Sequence, residues 1–493
     1  MEYILSIDQS TSATKAFLWD EAGRQIAQAS LPHRQIVNER GWIEHDALEI
    51  YRNVLSTSRS VIQKAGVNPA HVRTIGLSNQ RETAVCWDAQ TGLPVCHAIV
   101  WQCARAAELV REIEKEGVAK YVHEKTGLPL SPFFSAAKIC WIIRHVPQAR
   151  DALANGRLRT GTMDAWLIFK LTGGCYTDYS NASRTQLLNL DTLTWDDELL
   201  EIFGLQRDCL PAILMSDGEF GSTDMEGIFP HPIPIHAVLG DSHAALFANR
   251  CLETGMAKAT FGTGASIMIN AGNRRPENVD ELAVSLAWGM RSNVNYVFEG
   301  NVNYAGSVIK WLCEKVEMLE SPDKAGAVAQ SIPNTQGVYL VPAFSGLGAP
   351  WFRDDVRAAF MGINRTTTRA HFIRAAEECI AYQVADVVQA ANQAIGTSLT
   401  HIFVDGGAAR DTFLMQFQAD ILGIPIYVSE TANCSAAGAA ACAALAQGIC
   451  SNDVFQPQYH TFSPQMPQSL RSELYDGWKM AVISLLYNKG ECI

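Results

Sequence analysis

The sequence lacks the motifs of several common nucleotide-binding and metal-dependent enzymes. It has no GxxxxGK[ST] motif, which argues against a P-loop enzyme, and no GxGxxG motif after a predicted strand. It also has no HExxH motif and no paired CxxC motifs, and its 12 histidines are not spaced as metal ligands. Any nucleotide site must therefore be built differently, and no zinc site is expected.

Long basic runs and long apolar runs are also absent. The net charge is −12, which argues against nucleic acid or an anionic membrane as the main partner. No segment approaches about 18 consecutive apolar residues, so no membrane-spanning helix is expected. The chain enters a predicted strand at once, without a basic n-region or a cleavage site, so we expect no signal peptide.

Cysteine is plentiful, but its spacing does not suggest disulfides. The 13 cysteines are scattered along the chain. Cys140, Cys379 and Cys442 fall within apolar helical patterns, where cysteine acts as a small hydrophobic residue. This usage predicts reduced thiols and a cytoplasmic protein.

The length and the order of predicted elements indicate two α/β domains. A chain of 493 residues exceeds the size at which one hydrophobic core usually stops growing, about 250–300 residues. Predicted strands and helices alternate along the chain, which is typical of α/β folds. We predict a first domain over residues 1–248 and a second domain over residues 249–493.

The amino-terminal hairpin is the first candidate for a nucleotide site. An apolar strand over residues 3–7 ends at Asp8, a turn of small and polar residues follows over 9–15, and a second apolar strand covers 16–19. Such a turn presents backbone N–H groups and hydroxyls to a phosphate. The Asp8 carboxylate suits Mg²⁺, directly or through water. An ordinary hairpin without ligand is the alternative interpretation.

Two further turns resemble the first. Residues 256–270 form a predicted strand, a turn at Gly262-Thr263-Gly264 and another strand, about half a chain later. A glycine-rich turn at 405–408 lies between a predicted strand and a helix, where backbone N–H groups favour negative charge. Taken alone, the turn at 405–408 is explained by an ordinary tight connection between a strand and a helix. Together, the three turns are typical of an α/β fold of two actin/hexokinase-like (ribonuclease H-like) lobes with an interlobe cleft.

Longer motifs narrow this assignment. In chain order they are GWIEHD at 41–46, NQRET at 79–83, AIVWQ at 98–102, YSNASRT at 179–185, PAFSGLGAP at 342–350 and FLMQFQADILG at 413–423. Through these motifs the chain resembles the FGGY carbohydrate kinases over nearly its full length, and within that family the glycerol kinases.

The resemblance implies roles in binding a polyol or sugar. Arg81 and Glu82 would hydrogen-bond its hydroxyls, and Trp101 would contact its carbon skeleton. Asp241 would act as the catalytic base, because a hydroxyl needs to lose its proton as it attacks the γ-phosphorus. The remaining residues implied on the substrate side are Phe133, Ser242 and Ser266.

The resemblance also implies ATP and Mg²⁺ as cofactors. Asp8 corresponds to the Mg²⁺-associated carboxylate. The phosphate-turn positions are Thr11, Ser12, Ala13, Lys15, Gly262 and Thr263. The positions beside the nucleoside are Gly306, Lys310, Gly407 and Asp411.

Several positions depart from the usual glycerol kinase pattern. Phe133 replaces a tyrosine, Ser242 a glutamine and Ser266 an aromatic residue, so the substrate pocket is expected to be wider and lined by hydroxyls. On the ATP side, Lys15 replaces an arginine and Asp411 an asparagine, and Lys15 lacks the bidentate fork. These changes leave three functions open: a kinase for glycerol, a kinase for a four- to six-carbon polyol or ketose, and a catalytically silent sensor. The resemblance also implies a homo-oligomer, dimer or tetramer.

Overall fold

The computed structural model describes residues 1–277, 279–431, 433–450, 454–455 and 457–487. Its strands and helices alternate and form two large sheets, one in each half of the chain. The observed architecture agrees with the α/β class and the two lobes predicted from the sequence.

The first half of the chain contains many short strands around one long sheet. Its strands are β1 (Tyr3–Gln9), β2 (Ala13–Asp20), β3 (Gln25–Pro32), β4 (Ile36–Val37), β5 (Ile43–His45), β6 (Val72–Asn79), β7 (Val85–Asp88), β8 (Leu93–Pro94), β9 (Ala98–Ile99), β10 (Leu158–Gly161), β11 (Tyr176–Asp178), β12 (Leu188–Asn189), β13 (Thr194–Trp195), β14 (Ala212–Leu214), β15 (Ser222–Thr223) and β16 (Ile233–Gly240). Its helices are α1 (Ala47–Ala65), α2 (Ala107–Glu114), α3 (Ala119–Thr126), α4 (Ser135–His145), α5 (Pro147–Ala154), α6 (Met163–Thr172), α7 (Tyr179–Ala182), α8 (Asp197–Phe203) and α9 (Asp241–Ala248).

The second half has longer helices and a second long sheet. Its strands are β17 (Ala257–Phe261), β18 (Ala265–Gly272), β19 (Ala283–Met290), β20 (Asn293–Val302), β21 (Tyr339–Val341), β22 (Ala359–Met361), β23 (Ile402–Asp405), β24 (Ile426–Ser429) and β25 (Tyr459–Phe462). Its helices are α10 (Gly306–Glu314), α11 (Ala325–Gln330), α12 (Arg369–Ile395), α13 (Thr412–Leu422), α14 (Cys434–Ala446) and α15 (Gln468–Tyr487).

The two sheets share one topology. The first has the strand order β15-β16-β6-β1-β2-β3, and the second has the order β19-β20-β18-β17-β23-β24-β25. In each, an antiparallel hairpin (β1–β2 or β17–β18) is extended by two parallel strands, β6 and β16 or β23 and β24. Open α/β sheets bind ligands beyond the carboxyl ends of their parallel strands. The repeated topology therefore gives each lobe one such edge.

Two helices, one from each half of the chain, pack closely against each other. Helix α9 packs against α14, and Gly438 in α14 lies against the backbone of Ala244 in α9. Gly76 in β6 likewise lies against the backbone of Ala439. A side chain at either glycine would collide with main chain, so only glycine permits this packing. The contact fixes α9, and with it the residue that begins α9, Asp241.

The cysteines of the described residues form no disulfide, and Cys140, Cys379 and Cys442 are buried within α4, α12 and α14. Within the same residues, each helix is too short or too polar to cross a membrane.

Candidate active site

The cleft between the two sheets contains two adjoining cavities of about 500 and 480 Å³. The larger, here called the lysine cavity, is lined by Lys15 and Lys258 and by the turn after β23. The smaller, here called the aromatic cavity, is lined by Trp101 and Phe133. Asp241, Ser242 and Thr260 line both cavities. A ligand in one cavity would thus meet a ligand in the other at Asp241.

Asp8 lies at the carboxyl end of β1, on the wall of the lysine cavity. Its Oδ1 accepts a hydrogen bond from Ser78 Oγ at 2.7 Å, and its Oδ2 lies 3.5 Å from Lys15 Nζ. Across the described residues, no group of three or more His, Cys, Asp or Glu side chains could hold a metal ion. Mg²⁺ prefers a few carboxylates together with phosphate oxygens, so Asp8 fits an ion that arrives with a nucleotide.

Asp241 is the first residue of α9 and follows β16 directly. Its Oδ1 accepts a hydrogen bond from the Ser242 backbone N–H at 2.6 Å and lies 3.4 Å from Arg81 Nε. Burial raises the pKa of Asp241; the charge of Arg81 opposes this rise, and the charge of Asp8 adds to it. A carboxylate with a raised pKa is a better general base at neutral pH than an ordinary aspartate.

A buried ion network lies beneath the aromatic cavity and connects the two lobes. Arg81 Nη1 and Nη2 donate to the two carboxylate oxygens of Glu299, at 2.7 and 3.1 Å. Arg184 Nε donates to Glu82 Oε1 at 2.6 Å, and its Nη1 lies 3.3 Å from Glu299. Burial alone would raise the pKa of Glu299, but Arg184 and Arg81 outweigh it and hold that pKa below its usual value. The donor fork of Arg81, expected from the sequence to face substrate hydroxyls, is thus occupied by Glu299.

Glu82 has a strained backbone. Its φ is 58°, in the left-handed region that non-glycine residues seldom adopt. The Thr83 N–H donates to the Arg81 carbonyl at 2.7 Å, which closes a tight turn around Glu82. Such strain persists only where the surroundings hold it, and it is concentrated at functional sites. The turn keeps Arg81 and Glu82 on the wall of the aromatic cavity.

Trp101 and Phe133 form the aromatic wall, with ring centroids 5.4 Å apart at an angle of 64°. Trp101 Nε1 donates to Thr11 Oγ1 at 3.0 Å, so Thr11 lies in the aromatic cavity rather than the lysine cavity. Behind the wall, the buried Lys138 donates to the carbonyls of residues 132–134. Burial lowers the pKa of Lys138 to about 7. The hydrogen bonds of Trp101 and Lys138 fix the positions of both rings.

Small polar side chains line the opposite wall of the aromatic cavity. In the register of the second sheet Thr260 pairs with Ser266, and Ser266 pairs with Asn301. Asn303 follows two residues later and also lines the cavity. Within the described residues, Ser266 Oγ is buried without a hydrogen-bond partner. We call Thr260, Ser266, Asn301 and Asn303 the polar row; its free hydroxyl at Ser266 is suited to a polar ligand.

Most of the residues implied by the resemblance line one of the cavities. The lysine cavity contains Asp8, Lys15, Asp241, Ser242 and Gly407. The aromatic cavity contains Thr11, Arg81, Glu82, Trp101, Phe133, Asp241, Ser242, Gly262, Thr263 and Ser266. The residues that line neither cavity are Ser12, Ala13, Gly306, Lys310 and Asp411.

Three of those outlying residues have other contacts. Asp411 accepts hydrogen bonds from the N–H groups of Phe413 and Leu414, and so caps α13. The Gly306 N–H donates to the Gly262 carbonyl at 3.0 Å, which supports the second turn from behind. Lys310 is exposed beside Glu314, at 3.5 Å.

Sequence reasoning missed several residues of the cleft. Lys258 lies two residues before Thr260 on β17, and Asn301 lies two residues before Asn303, just beyond the end of β20. Neither Thr260 nor Asn303 was predicted, so side-chain alternation alone gave no signal for Lys258 or Asn301. Arg184 lies within the motif at 179–185. Glu299 carried no local signal, because its partner Arg81 is 218 residues away.

Comparison with known proteins identifies the family. The profile of the FGGY family of carbohydrate kinases matches this chain with its N-terminal domain over residues 3–248 and its C-terminal domain over residues 257–447. Glycerol kinase 1 of Thermotoga maritima is 44% identical over 490 residues, which is 98% of this chain and 99% of that protein. A glycerol kinase of Stenotrophomonas maltophilia is 41% identical over 490 residues, 98% of each chain.

Solved structures agree with the profile match. The structure of Plasmodium falciparum glycerol kinase with ADP superposes with a TM-score of 0.94 at 34% identity, over 99% of both chains. A ligand-bound xylulose kinase of Lactobacillus acidophilus shares the fold, with a TM-score of 0.89 at 23% identity over the whole of both chains. The two-lobed fold predicted from the three turns is thereby confirmed. As its motifs predicted, the chain belongs to the FGGY family of carbohydrate kinases.

Proposed function

We propose that the protein is an ATP-dependent kinase that transfers the γ-phosphate of ATP to a terminal hydroxyl of glycerol. The observation that carries the proposal is Asp241, a carboxylate with a raised pKa where the two cavities meet. The similarity to glycerol kinases over nearly the whole chain supports glycerol as the acceptor. The ADP in the P. falciparum structure supports ATP as the donor.

The proposed reaction needs one proton transfer and one phosphoryl transfer. The acceptor hydroxyl lies in the aromatic cavity and gives its proton to Asp241 as its oxygen attacks the γ-phosphorus of ATP in the lysine cavity. The new O–P bond forms while the bond from the γ-phosphorus to the bridging oxygen breaks, and ADP leaves. Mg²⁺ near Asp8 would reduce the negative charge of the phosphates.

The remaining residues of the cleft would bind and orient the two substrates. Lys15 would bind phosphate oxygens in the lysine cavity, and Gly407 would lie beside the nucleoside there. The turn at 262–264 lines the aromatic cavity, so it would contact only the γ-phosphate, where the two cavities adjoin. Glu82 would accept a hydrogen bond from an acceptor hydroxyl, while Arg81 would orient Asp241 through its Nε. The aromatic wall would cover the carbon skeleton and exclude water that competes for the phosphoryl group.

We also propose domains over 1–248 and 249–493, a cytoplasmic location and a homo-oligomer. The profile matches that end at 248 and begin at 257 support the domain boundary. The free cysteines of the described residues support a reducing compartment. Light scattering coupled to gel filtration tests the assembly, and the mass of a single chain would contradict it.

A second candidate function is a kinase for a four- to six-carbon polyol or ketose. The polar row favours it, because amide and hydroxyl groups can hydrogen-bond more hydroxyls than glycerol carries. The unpartnered Ser266 Oγ is the particular observation in its favour.

An ADP-release assay with Mg·ATP separates these functions. Glycerol, erythritol, xylulose and ribulose serve as acceptors, with Asp241→Asn as the matched control for contaminating activity. The highest kcat/KM with glycerol supports the first candidate, and a higher value with a longer acceptor supports the second. Acceptor and nucleotide binding without turnover on the whole panel would contradict both and indicate a silent sensor.

A further inference from the structure

Lys258 is a buried lysine that faces the lysine cavity. It lies on β17, two residues before Thr260, so both side chains project from the same face of the strand. Only 1% of its surface is exposed. Its Nζ donates to Thr260 Oγ1 at 2.7 Å, and the side chain lines the lysine cavity but not the aromatic cavity.

The ammonium group of Lys258 has few partners for a buried charge. Within the described residues, the Thr260 hydroxyl is its only hydrogen-bond partner, and no carboxylate oxygen lies within 4.0 Å of Nζ. An ammonium group has three donors. Lys138, which is also buried, donates to three carbonyls, and Lys15 lies 3.5 Å from Asp8. Lys258 therefore has unused donors, unlike Lys138, and no paired acid, unlike Lys15.

A buried cation without a paired anion is costly for the folded chain. The positive charge of Lys258 acts to lower the pKa of Asp241, against the effect of burial. The two side chains nevertheless do not form an ion pair. Asp405 pairs with Thr260 in the sheet register and lines the same cavity. An anionic ligand in the lysine cavity would supply the contact that these carboxylates do not make.

We propose that Lys258 binds a phosphate oxygen of the nucleotide and so serves, opposite Lys15, as the buried cation on the wall of the lysine cavity, which Arg410 also lines. The inference rests on the proposed function, because it takes the ligand of this cavity to be ATP or ADP. An ammonium group binds phosphate as a point charge, without the fixed geometry of a guanidinium group. Lys258 approaches from the second lobe and Lys15 from the first, so the two cations hold the phosphates from opposite sides.

This role predicts opposite effects on stability and on binding. Lys258→Met removes a buried charge while keeping a side chain of similar length. The variant without nucleotide should therefore unfold at the same temperature as the wild type or at a higher one. It should gain less stability from Mg·ADP, since ligand stabilisation depends on affinity.

The test is titration calorimetry of Mg·ADP binding to the full chain, with thermal melting as a second measurement. We expect the Kd of Lys258→Met to rise about 10- to 100-fold, the usual value of a hydrogen bond to a charged group. Lys64→Met is the matched control, because Lys64 is an exposed lysine on α1 that donates to the Gln28 carbonyl and lines neither cavity. Its Kd should equal that of the wild type.

Two outcomes would overturn the inference. One is a Kd for Lys258→Met within about twofold of the wild-type value. The other is a lower melting temperature without nucleotide together with unchanged affinity, which would make Lys258 a structural residue. If Lys258→Met does not fold, Lys258→Gln is measured in the same way. Because no acceptor is present, failure of the polyol assay would contradict the proposed function without affecting this result.

Discussion

The two lobes carry the same hairpin but distribute charge on it differently. In the first lobe, the register pairs Asp8 with Lys15, so an acid and a base face each other beside the cleft. At the equivalent place in the second lobe, Thr260 pairs with Ser266, and both are neutral. The second lobe carries its cation two residues earlier, at Lys258.

This difference indicates that the two equivalent hairpins serve different ligands. Asp8, Lys15 and Lys258 are among the charged side chains that line the lysine cavity, which suits a polyphosphate with its metal ion. The neutral side chains continue across β18 and β20 as the polar row and line the aromatic cavity, which suits hydroxyl groups. Asp241 belongs to both cavities, so the largest effect on activity is expected there.

Replacement of Asp241 by asparagine should cause the largest loss. We expect turnover to fall by about 10²–10⁴-fold, the usual contribution of a positioned general base. Mg·ADP binding, measured by calorimetry, should stay near the wild-type value. Asp241 can accept a proton only when it is deprotonated, and its pKa is raised. As the pH is lowered, wild-type activity should therefore begin to fall at a higher pH than it would with an aspartate of ordinary pKa. Near wild-type turnover of a folded Asp241→Asn variant would remove Asp241 from this role.

Breaking the ion network should have the largest effect on stability. Glu299→Gln leaves Arg81 and Arg184 without their shared anion across the two lobes. We expect the free energy of unfolding to fall by about 3–5 kcal/mol, as measured by urea denaturation. Glu314→Gln, at an exposed pair with Lys310, should change it by less than about 0.5 kcal/mol. Equal effects of the two substitutions would contradict a structural role for the network.

The charged hairpin can be compared with the neutral one through their equivalent residues. Asp8→Asn should raise the Mg²⁺ concentration for half-maximal activity about 10- to 100-fold, as loss of a metal-supporting carboxylate commonly does. Thr260→Val should raise this Mg²⁺ concentration by a much smaller factor than Asp8→Asn, because Thr260 carries no charge that could attract the ion. Titration of activity with Mg²⁺ measures both. A larger shift for Thr260→Val would reverse the assignment of the metal to the first lobe.

A smaller effect is expected from refilling the aromatic cavity. The double change Ser242→Gln with Ser266→Phe replaces two small hydroxyl side chains by larger ones. It should lower kcat/KM for erythritol relative to glycerol by about 2- to 12-fold, the usual value of one lost hydrogen bond. Competition assays with both acceptors measure the ratio. A ratio that moves toward erythritol would show that the cavity does not select by size.

Local sequence signals predicted the turns of the cleft but not all of its contacts. The turns after β1 and β17 were identified because small residues interrupt apolar strands, and Asp241 was identified through the resemblance to the family. The pairing of Arg81 with Glu299 could not be identified, because it joins side chains from different lobes. Asp411 was assigned to the nucleoside, yet the structure uses it as the N-cap of α13. An aspartate directly before a helix is a common capping signal, so this contact was open to prediction.

Only Ser266 of the polar row was predicted from the sequence; Thr260, Asn301 and Asn303 were not. β20 runs to Val302 and so brings Asn301 into register with Ser266. Pairing between neighbouring strands is not shown by a single sequence. Side-chain alternation identifies Asn301 and Asn303 only once β18 is known to lie beside β20.

The most direct test of the division between the lobes is a two-substrate kinetic grid, in which ATP and the acceptor are varied independently for Lys15→Met and Asn301→Ala. The account predicts that Lys15→Met raises the KM for ATP about tenfold and leaves the preference between glycerol and erythritol unchanged. Asn301→Ala should change that preference and leave the KM for ATP unchanged. A changed acceptor preference in Lys15→Met, or a raised KM for ATP in Asn301→Ala, would contradict the division.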